Sequence, residues 1–256
     1  YLPYYKRSLK PHPWNVHVKP GFKSEWGAYS LNAIRWPGNE NYQGEFNLDY
    51  RTKRGWGIGP KIRYGSDRYG EGDFNLYRAF DDDPLTDSRG LAIDRERDLA
   101  QWSHHYSRDG FSTTMVLEYE SDEYMRRDFY EGLYRSNVQP NTFIEVGQNW
   151  QDYHLSVLAS PRVNSFNEHI DRLPDIQFSG TRHRLGESPV YYDTETSAGY
   201  LRRRYDYASS SEDYSLMRVD TLHQLYLPTT YNDWLNFTPR IGGRFTHYGD
   251  ASGSGS

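Results

Sequence analysis

The sequence contains no cysteine among its 256 residues, so the chain itself can form neither a disulfide nor a thiolate metal site. It also lacks any run of ~18 apolar residues, the length that a membrane-spanning helix requires. Neither sign of charge dominates, with 30 Lys and Arg against 35 Asp and Glu. This balance gives no support to a nucleic-acid partner, and none is expected.

Aromatic residues are abundant. Phe, Trp and Tyr make up 16% of the chain, with 24 Tyr, although the mean hydropathy is −0.96. A polar chain that is rich in aromatics is typical of a carbohydrate-handling β protein or of a transmembrane β-barrel, whose strands are only half apolar.

The two ends of the chain suggest a segment of a longer protein. Tyr1-Leu2-Pro3 opens neither the basic nor the apolar region of a signal peptide. We therefore expect residues 1–14 to be a junction from a preceding domain and residues 250–256 to be a loop or tail.

Apolar and polar residues alternate over long stretches. Tyr42, Gly44, Phe46, Leu48 and Tyr50 occupy the even positions of one stretch, and charged or amide residues fill most of the odd ones. Successive side chains of a strand point to opposite faces, so the pattern predicts strands with one apolar and one polar face.

We predict an all-β fold, an antiparallel up-and-down transmembrane β-barrel segment in one partial-barrel domain over residues 1–256. It would supply about 13 strands of a larger barrel. The predicted strands are 15–23, 26–36, 42–51, 55–65, 70–80, 98–108, 111–120, 141–150, 152–160, 173–184, 189–203, 218–227 and 234–248. Over the second half, short turns alternate with long connections, as periplasmic turns and extracellular loops do in outer-membrane proteins.

Aromatic residues stand at both ends of several apolar faces, eight residues apart. At a tilt of ~40°, eight residues rise about 20 Å, close to the height of an outer-membrane apolar band. The predicted girdle residues are Tyr42, Tyr50, Trp56, Tyr64, Tyr192 and Tyr200.

The opposite faces carry charge. Asp193 and Glu195 alternate on one predicted strand, and Arg240 and Arg244 on another. Unpaired buried charges cost several kcal/mol, so we predict that these four residues face a wide, wet lumen where charges pair across strands.

The sequence offers little catalytic or cofactor chemistry. Asp81-Asp82-Asp83 lacks the oxygen spacing of a calcium site and is interpreted as part of a solvated, charged loop. His104 and His105 are neighbours on one strand, face opposite ways and cannot share a metal. No enzyme activity, metal or cofactor is expected.

Glycine recurs at every second position in Gly55, Gly57 and Gly59. A phosphate-binding loop would need a following helix, so the pattern favours sheet curvature or space for contents of the lumen.

Four prolines, Pro3, Pro11, Pro13 and Pro20, fall within the first 20 residues, and Pro20 lies inside the first predicted strand. Because proline donates no backbone hydrogen bond, this strand is predicted to pair weakly. An ordinary irregular entry into a barrel remains the alternative.

Six short motifs follow one another in a characteristic order. They are Tyr1-Leu2-Pro3-Tyr4, Val18-Lys19-Pro20-Gly21-Phe22, Tyr50-Arg51-Thr52-Lys53-Arg54-Gly55 with Ile62-Arg63-Tyr64, Trp102-Ser103-His104-His105, Asp122-Glu123-Tyr124 with Asp128-Phe129, and Arg172-Leu173-Pro174. In these motifs the chain resembles the LPS-assembly protein LptD family, also called the organic solvent tolerance family, over nearly its whole length.

The resemblance implies a barrel in the bacterial outer membrane that places lipopolysaccharide in the outer leaflet. Periplasmic bridge proteins would deliver the lipid, and an LPS-assembly lipoprotein would plug the lumen. The lipid would leave through a lateral gate between the first and last strands, and Pro3 and Pro20 match the prolines that weaken pairing there. The chain departs from the family by lacking the periplasmic jelly roll, the later strands and the cysteines.

Two other functions remain open on sequence alone. A general outer-membrane porin would show the same alternation and girdles. A soluble carbohydrate-binding β protein would share the aromatic content, although a carbohydrate-cleaving one would need paired carboxylates in a cleft.

Overall fold

The protein, seen in a computed structural model, is built almost entirely of β-strands. The structure describes residues 15–36, 38–136 and 139–253, and it has 64% strand and 4% helix. The strands are β1 (Asn15–Lys23), β2 (Gly27–Trp36), β3 (Tyr42–Arg51), β4 (Gly55–Ser66), β5 (Gly70–Phe80), β6 (Glu96–Arg108), β7 (Phe111–Glu120), β8 (Phe143–Asn149), β9 (Tyr153–Ser160), β10 (His169–Arg184), β11 (Tyr191–Arg204), β12 (Tyr214–Tyr226), β13 (Thr229–Tyr231), β14 (Leu235–Phe237), β15 (Arg240–Tyr248) and β16 (Ser252–Gly253). The helices are α1 (Met125–Phe129) and α2 (Glu131–Arg135).

Fourteen of the strands form one sheet. Its order is β1 to β12 in sequence, followed by β15, with β16 also on β12; β13 and β14 pair with each other. Strands that are neighbours in this order are antiparallel in the pairings resolved strand by strand. The predicted all-β, antiparallel, up-and-down order is confirmed. Within the described residues the order has two ends, β1 and β15, and no ring of strands is closed.

Most strand boundaries agree with the prediction to within about two residues, and several regions differ. β10 and β12 each begin four residues before the predicted strand, and β13 lies outside the predicted strands. The expectation that residues 250–256 are a loop or tail is wrong at Ser252–Gly253, which form β16 and pair with β12. The single strand predicted over 234–248 is divided into β14 and β15 at residues 238–239, where Pro239 cannot donate to a ladder. The connection at 121–140 contains α1 and α2, which the period-two pattern did not indicate.

The chain divides into two compact units. Unit 1 comprises residues 1–101 and 120–137, and unit 2 comprises residues 102–119 and 138–256. In unit 1 the turns after β1 and β3 lie at the same end of the strands, because Lys53 Nζ donates a hydrogen bond of 2.8 Å to the Ser24 carbonyl. The connection 81–95 and the two helices lie at that end as well.

Unit 1 has a small apolar core beneath the helices. Met125 and Phe129, four positions apart and so on one face of α1, pack against Tyr77, Ala79 and Leu99 of the sheet. Tyr77, Ala79 and Leu99 alternate with exposed residues such as Leu76 and Phe80. The core therefore lies on the side of β5 and β6 that carries α1.

Gly57 makes room for the central aromatic residue of this core. A Cβ added at Gly57 would lie 1.9 Å from Tyr77 Oη. Tyr77 Oη donates to Asp49 Oδ2 at 2.8 Å and accepts a hydrogen bond of 2.9 Å from Arg51 Nη1. The sequence suggested sheet curvature or space for contents of the lumen, and at Gly57 the space holds Tyr77 of the neighbouring strand instead.

Replacing Gly57 tests this close approach. We expect Gly57→Ala to lower the free energy of unfolding by about 1–3 kcal/mol, because the methyl group displaces Tyr77 from Asp49 and Arg51. The matched control is Gly65→Ala on the same strand, where the new Cβ meets Glu71 at an ordinary 3.6 Å. Urea titration of both variants gives the measurement, and equal midpoints would contradict the role of Gly57.

Candidate functional site

On β3 the apolar side chains are exposed and charged ones are buried, the reverse of what is usual in soluble proteins. Tyr42 is 50% and Tyr50 38% accessible, whereas Asp49 is 7% and Arg51 1% accessible. Phe46 and Leu48 share the exposed side. We call the side with Tyr42, Phe46 and Tyr50 the outward face of unit 1, the side with Tyr192 and Tyr200 the outward face of unit 2, and the opposite side of each unit its inner face.

The predicted girdle residues form rows along the outward face. Tyr50 lies opposite Trp56, with ring centroids 4.7 Å apart, and Trp56 lies opposite Phe80 on the next strand. At the other end of the same strands, Tyr42 lies opposite Tyr64. Aromatic rings therefore mark both ends of the outward face of β3 and β4.

The outward face of unit 2 carries the other predicted pair. Tyr192 lies opposite Leu225, and its hydroxyl lies 2.6 Å from Nδ1 of His223. Tyr200 lies opposite Met217, and its hydroxyl donates to Ser215 Oγ at 2.8 Å. Between the two tyrosines the side chains on this face are small and partly polar.

In the described residues of unit 2 the buried residues are small or polar and the large apolar ones are not buried, although Glu195, Arg240 and Arg244 of the charged face are exposed as well. Its buried residues are all glycine, serine, threonine, asparagine or aspartate, and no large apolar side chain of this unit is buried. Its exposed side chains include Ile144, Ile176, Ile241 and Phe245. A soluble sheet would bury these apolar groups against a second layer, because each gains roughly 1.5–3 kcal/mol from leaving water.

The four predicted lumen residues share one face. Glu195 lies opposite Leu222, which lies opposite Arg244, and Asp193 keeps the same parity as Glu195. Arg240, opposite Tyr226, has the parity of Arg244. Paired residues of an antiparallel ladder lie on the same side of the sheet, so the register brings all four to the inner face of unit 2.

Arg244, one of these four residues, pairs across strands with Asp220 of β12. Arg244 donates two hydrogen bonds to the carboxylate of Asp220, from Nε at 2.9 Å and from Nη2 at 2.5 Å. Thr246 Oγ1 and Arg218 Nη2 add hydrogen bonds to the same carboxylate at 2.9 and 2.8 Å. Four donors allow Asp220 to stay ionised although it is buried.

Of the two predicted gate residues, only Pro20 lies among the described residues. Pro3 lies outside the described residues. Pro20 lies in the middle of β1, opposite Ser30 of β2, and the register runs from Asn15 to Lys23 without a shift, so the predicted weak pairing is wrong on the β2 side. Since β1 pairs only with β2 within the described part of the chain, Pro20 removes a donor from a strand at the end of the sheet order.

A buried charge cluster fastens the helices of unit 1 to the sheet. Arg97 donates to Asp81 and Asp128 at 2.8 Å each and to both oxygens of Asp122 at 2.6 and 2.9 Å. Arg54 contacts Asp128 at 2.5 Å and Asp81 at 3.1 Å. We call these five residues the charge cluster.

Phe129 lies among the arginines of this region. Its ring centroid is 5.1 Å from the guanidinium carbon of Arg51, 5.2 Å from that of Arg97 and 5.6 Å from that of Arg54. Guanidinium groups at these distances from an aromatic ring contribute cation–π attraction. The helices are therefore held by charge and ring contacts as well as by apolar packing.

Two predictions about solvation are wrong in unit 1. Asp81, interpreted as part of a solvated loop, is fully buried within the charge cluster. Asp49 and Arg51, whose polar face was expected to border a wet lumen, are buried beside Phe129. Pairing explains both differences, since a buried charge is tolerated where an opposite charge and hydrogen bonds satisfy it.

Electrostatics in the cluster favour the ionised form of Asp128. Burial by itself would raise the pKa of Asp128, but hydrogen bonds from Arg127 and Arg97 and the charge of Arg54 outweigh it and lower the pKa below its ordinary 3.8. At the neighbouring Tyr130 burial is the largest influence and raises the pKa, although a hydrogen bond with Asn75 and the charge of Arg51 act in the opposite direction.

The charge cluster was not predicted as a unit, although part of its composition was visible. Arg54, Asp122 and Asp128 all belong to motifs on which the family resemblance rests. The structure brings Arg54 and Asp128, 74 positions apart, into direct contact. Two of the six motifs thus meet at one place, which their sequence positions alone did not indicate.

The described part of the chain meets neither the requirements of a metal site nor those of a membrane-spanning helix. No group of three or more His, Asp or Glu residues there has the arrangement of a metal site. None of the helices described is long and apolar enough to cross a membrane. No known family model matches the sequence, and none of the curated proteins does.

Replacing the central arginine tests the charge cluster. We expect Arg97→Met to lower the free energy of unfolding by about 3–5 kcal/mol, because three neighbouring carboxylates lose their shared partner. Arg63→Met is the matched control, since Arg63 pairs with Asp73 at an exposed site and should cost less than about 1 kcal/mol. Urea titration measures both, and equal losses would show that the cluster adds nothing.

Proposed function

We propose that this chain forms part of the wall of an outer-membrane β-barrel that places lipopolysaccharide in the outer leaflet. The observation that carries the proposal is the inverted sheet. Large apolar and aromatic side chains are exposed on its outward face, and the buried groups of unit 2 are polar. Acyl chains would cover the outward face without any second protein layer.

The backbone pairing is consistent with a place in lipid. In hydrocarbon every strand N–H and C=O must be satisfied by a neighbouring strand. The ladders β3–β4 and β11–β12 run over their full lengths without a register shift. The two ends of the strand order, β1 and β15, would need further strands to complete the wall.

The lipopolysaccharide part of the proposal rests on the resemblance to the LptD family and on β1. A strand at a seam that carries Pro20 has fewer ladder bonds to break when the seam opens. The glycolipid headgroup would pass along the inner face while its acyl chains leave sideways into the membrane. Bridge proteins would deliver the lipid, a lipoprotein would plug the lumen, and no covalent bond would change.

A porin-type channel is the second candidate function, and one observation favours it. The helical segment at 121–136 folds over the inner face of unit 1 and is fastened by the charge cluster. A segment fixed in this way could narrow a water-filled pore. Ion conductance in planar bilayers without any bridge protein would support the channel over the lipid translocon.

The position of the outward face can be tested with cysteine probes, because the chain has no cysteine of its own. We expect a fluorescent label on Phe46→Cys to be quenched by nitroxide phosphatidylcholine in reconstituted vesicles, since this side would touch acyl chains. The matched control is Asn47→Cys, the next residue of β3, which should respond to aqueous iodide instead. Equal lipid quenching at both positions would contradict a membrane-facing wall.

The gate can be tested separately in cells that carry the full-length protein. We expect Pro20→Ala to restore a backbone donor on β1, tighten the seam and slow delivery of lipopolysaccharide to the surface. Pro60→Ala is the control, because Pro60 lies in β4 with strands on both sides. Unchanged surface lipopolysaccharide and unchanged resistance to bulky hydrophobic antibiotics in the Pro20 variant would argue against the gate.

A further inference from the structure

The connection between β12 and β15 is unusual for its place in the fold. The other connections at this edge of unit 2 are short, such as residues 109–110 and 150–152, but residues 227–239 form a hairpin of their own from β13 and β14. The tip turns at Asn232 and Asp233, which have φ of 49° and 58°. Asn and Asp tolerate this left-handed conformation better than other side chains that have a Cβ.

The hairpin keeps the register of the strands that carry it. Tyr226 lies opposite Arg240, Thr229 lies opposite Phe237, and Tyr231 lies opposite Leu235, without an inserted residue on either side. A hydrogen bond of 3.1 Å from the Leu227 N–H to the Pro239 carbonyl closes its base. Because the register continues, the parity of outward and inner residues continues as well.

The outward face therefore extends onto the hairpin. Leu225 and Ile241 are outward on β12 and β15, and Tyr231, Leu235 and Phe237 follow with the same parity. The opposite side of the hairpin carries Thr230 and Asn236, joined by a hydrogen bond of 2.9 Å. The alternation of apolar and polar faces thus passes through the break between the two ladders.

The exposed groups of the hairpin have the chemistry of a membrane interface. Tyr231 and Phe237, which have the outward parity, are exposed, and Trp234 is 75% accessible in the turn 232–234, outside the ladder that sets the parity. Asp233 is the only charged residue between positions 227 and 239. Trp and Tyr concentrate at the level of lipid headgroups, where one part of the ring can be dry and the other wet.

The spacing places the end of the β13–β14 ladder at that level. Phe237 and Phe245 share the outward face and are eight residues apart, the spacing of Tyr42 and Tyr50. If this pair spans the apolar band, Leu235 lies two residues, about 7 Å along the strand, beyond its edge. The headgroup layer on each side of a bilayer is about 5–7 Å thick, so Leu235 and Tyr231 opposite it would lie within it.

We propose that the β13–β14 hairpin is a membrane anchor that inserts Tyr231, Trp234 and Phe237 into the boundary between the headgroups and acyl chains of the lipid bilayer. This proposal rests on the proposed membrane position of the outward face. Pro228 and Pro239 at the base lack backbone donors, so each removes a possible ladder hydrogen bond where the two ladders meet.

The experiment uses the whole chain in phosphatidylcholine vesicles, with a fluorescent label on Leu235→Cys. We expect strong quenching by nitroxides attached near the headgroup and weak quenching by nitroxides deep in the acyl chain. Glu187→Cys, on the 185–190 connection at the same edge, is the matched control and should respond to neither. In the same Leu235→Cys chain, changing Tyr231, Trp234 and Phe237 to Ser should abolish the shallow quenching.

The outcomes separate the anchor from the proposed function. Lipid quenching at the Phe46→Cys label without quenching at Leu235 would overturn the anchor and leave the membrane wall intact, whereas loss at both positions would overturn both. Protection of the Leu235 label from lipid nitroxide and from aqueous iodide alike would mean that protein covers the hairpin, and would overturn the anchor. Shallow quenching that survives the three serine substitutions would also overturn it.

Discussion

A buried guanidinium without a carboxylate costs several kcal/mol, and this cost governs how the inner face of the sheet is built. Arg51, Arg54, Arg97 and Arg126 are all buried, and each lies within ion-pair distance of an acidic side chain. In unit 2 the buried carboxylate of Asp220 is paired in the same way, because it accepts hydrogen bonds from arginines of two strands. Charge pairing takes the place that apolar packing has in an ordinary β-sandwich, and it leaves the apolar side chains free to face outward.

The outward face and the helical segment follow from that arrangement. Once the inner face is satisfied by cross-strand pairs, no described residue of the same unit forms a layer over the opposite side. Its aromatic rows, with Tyr50 against Trp56 and Tyr42 against Tyr64, suit a boundary between hydrocarbon and water. The helical segment at 121–136 adds an apolar core to unit 1, and the hairpin at 227–239 extends the outward face of unit 2.

Sequence alone predicted the strands well because their alternation has a period of two, and strands such as 42–51 and 111–120 have the predicted bounds. The same parity argument placed Glu195 and Arg244 on one face, which the register confirms. It could not reveal the charge cluster, because contacts such as that between Arg54 and Asp128 depend on where a connection folds back. Nor could it indicate that Asp81 is buried, since its partners Arg54 and Arg97 come from two separate parts of the chain. The two short helices have too few residues to establish a period of 3.6.

The charge cluster also has a consequence for the order in which the chain assembles. Trp26 donates to the Asp128 carbonyl across 102 positions, and Arg54 reaches the Asp128 carboxylate across 74. Contacts so distant in sequence form late, because the loop-closure entropy must be overcome before they stabilise anything. Until β6 and the helical segment arrive, the ionic groups of the first hairpins would stay hydrated. The early strands must therefore persist on ladder hydrogen bonds alone, and the fastening of the helices would be among the last steps of folding.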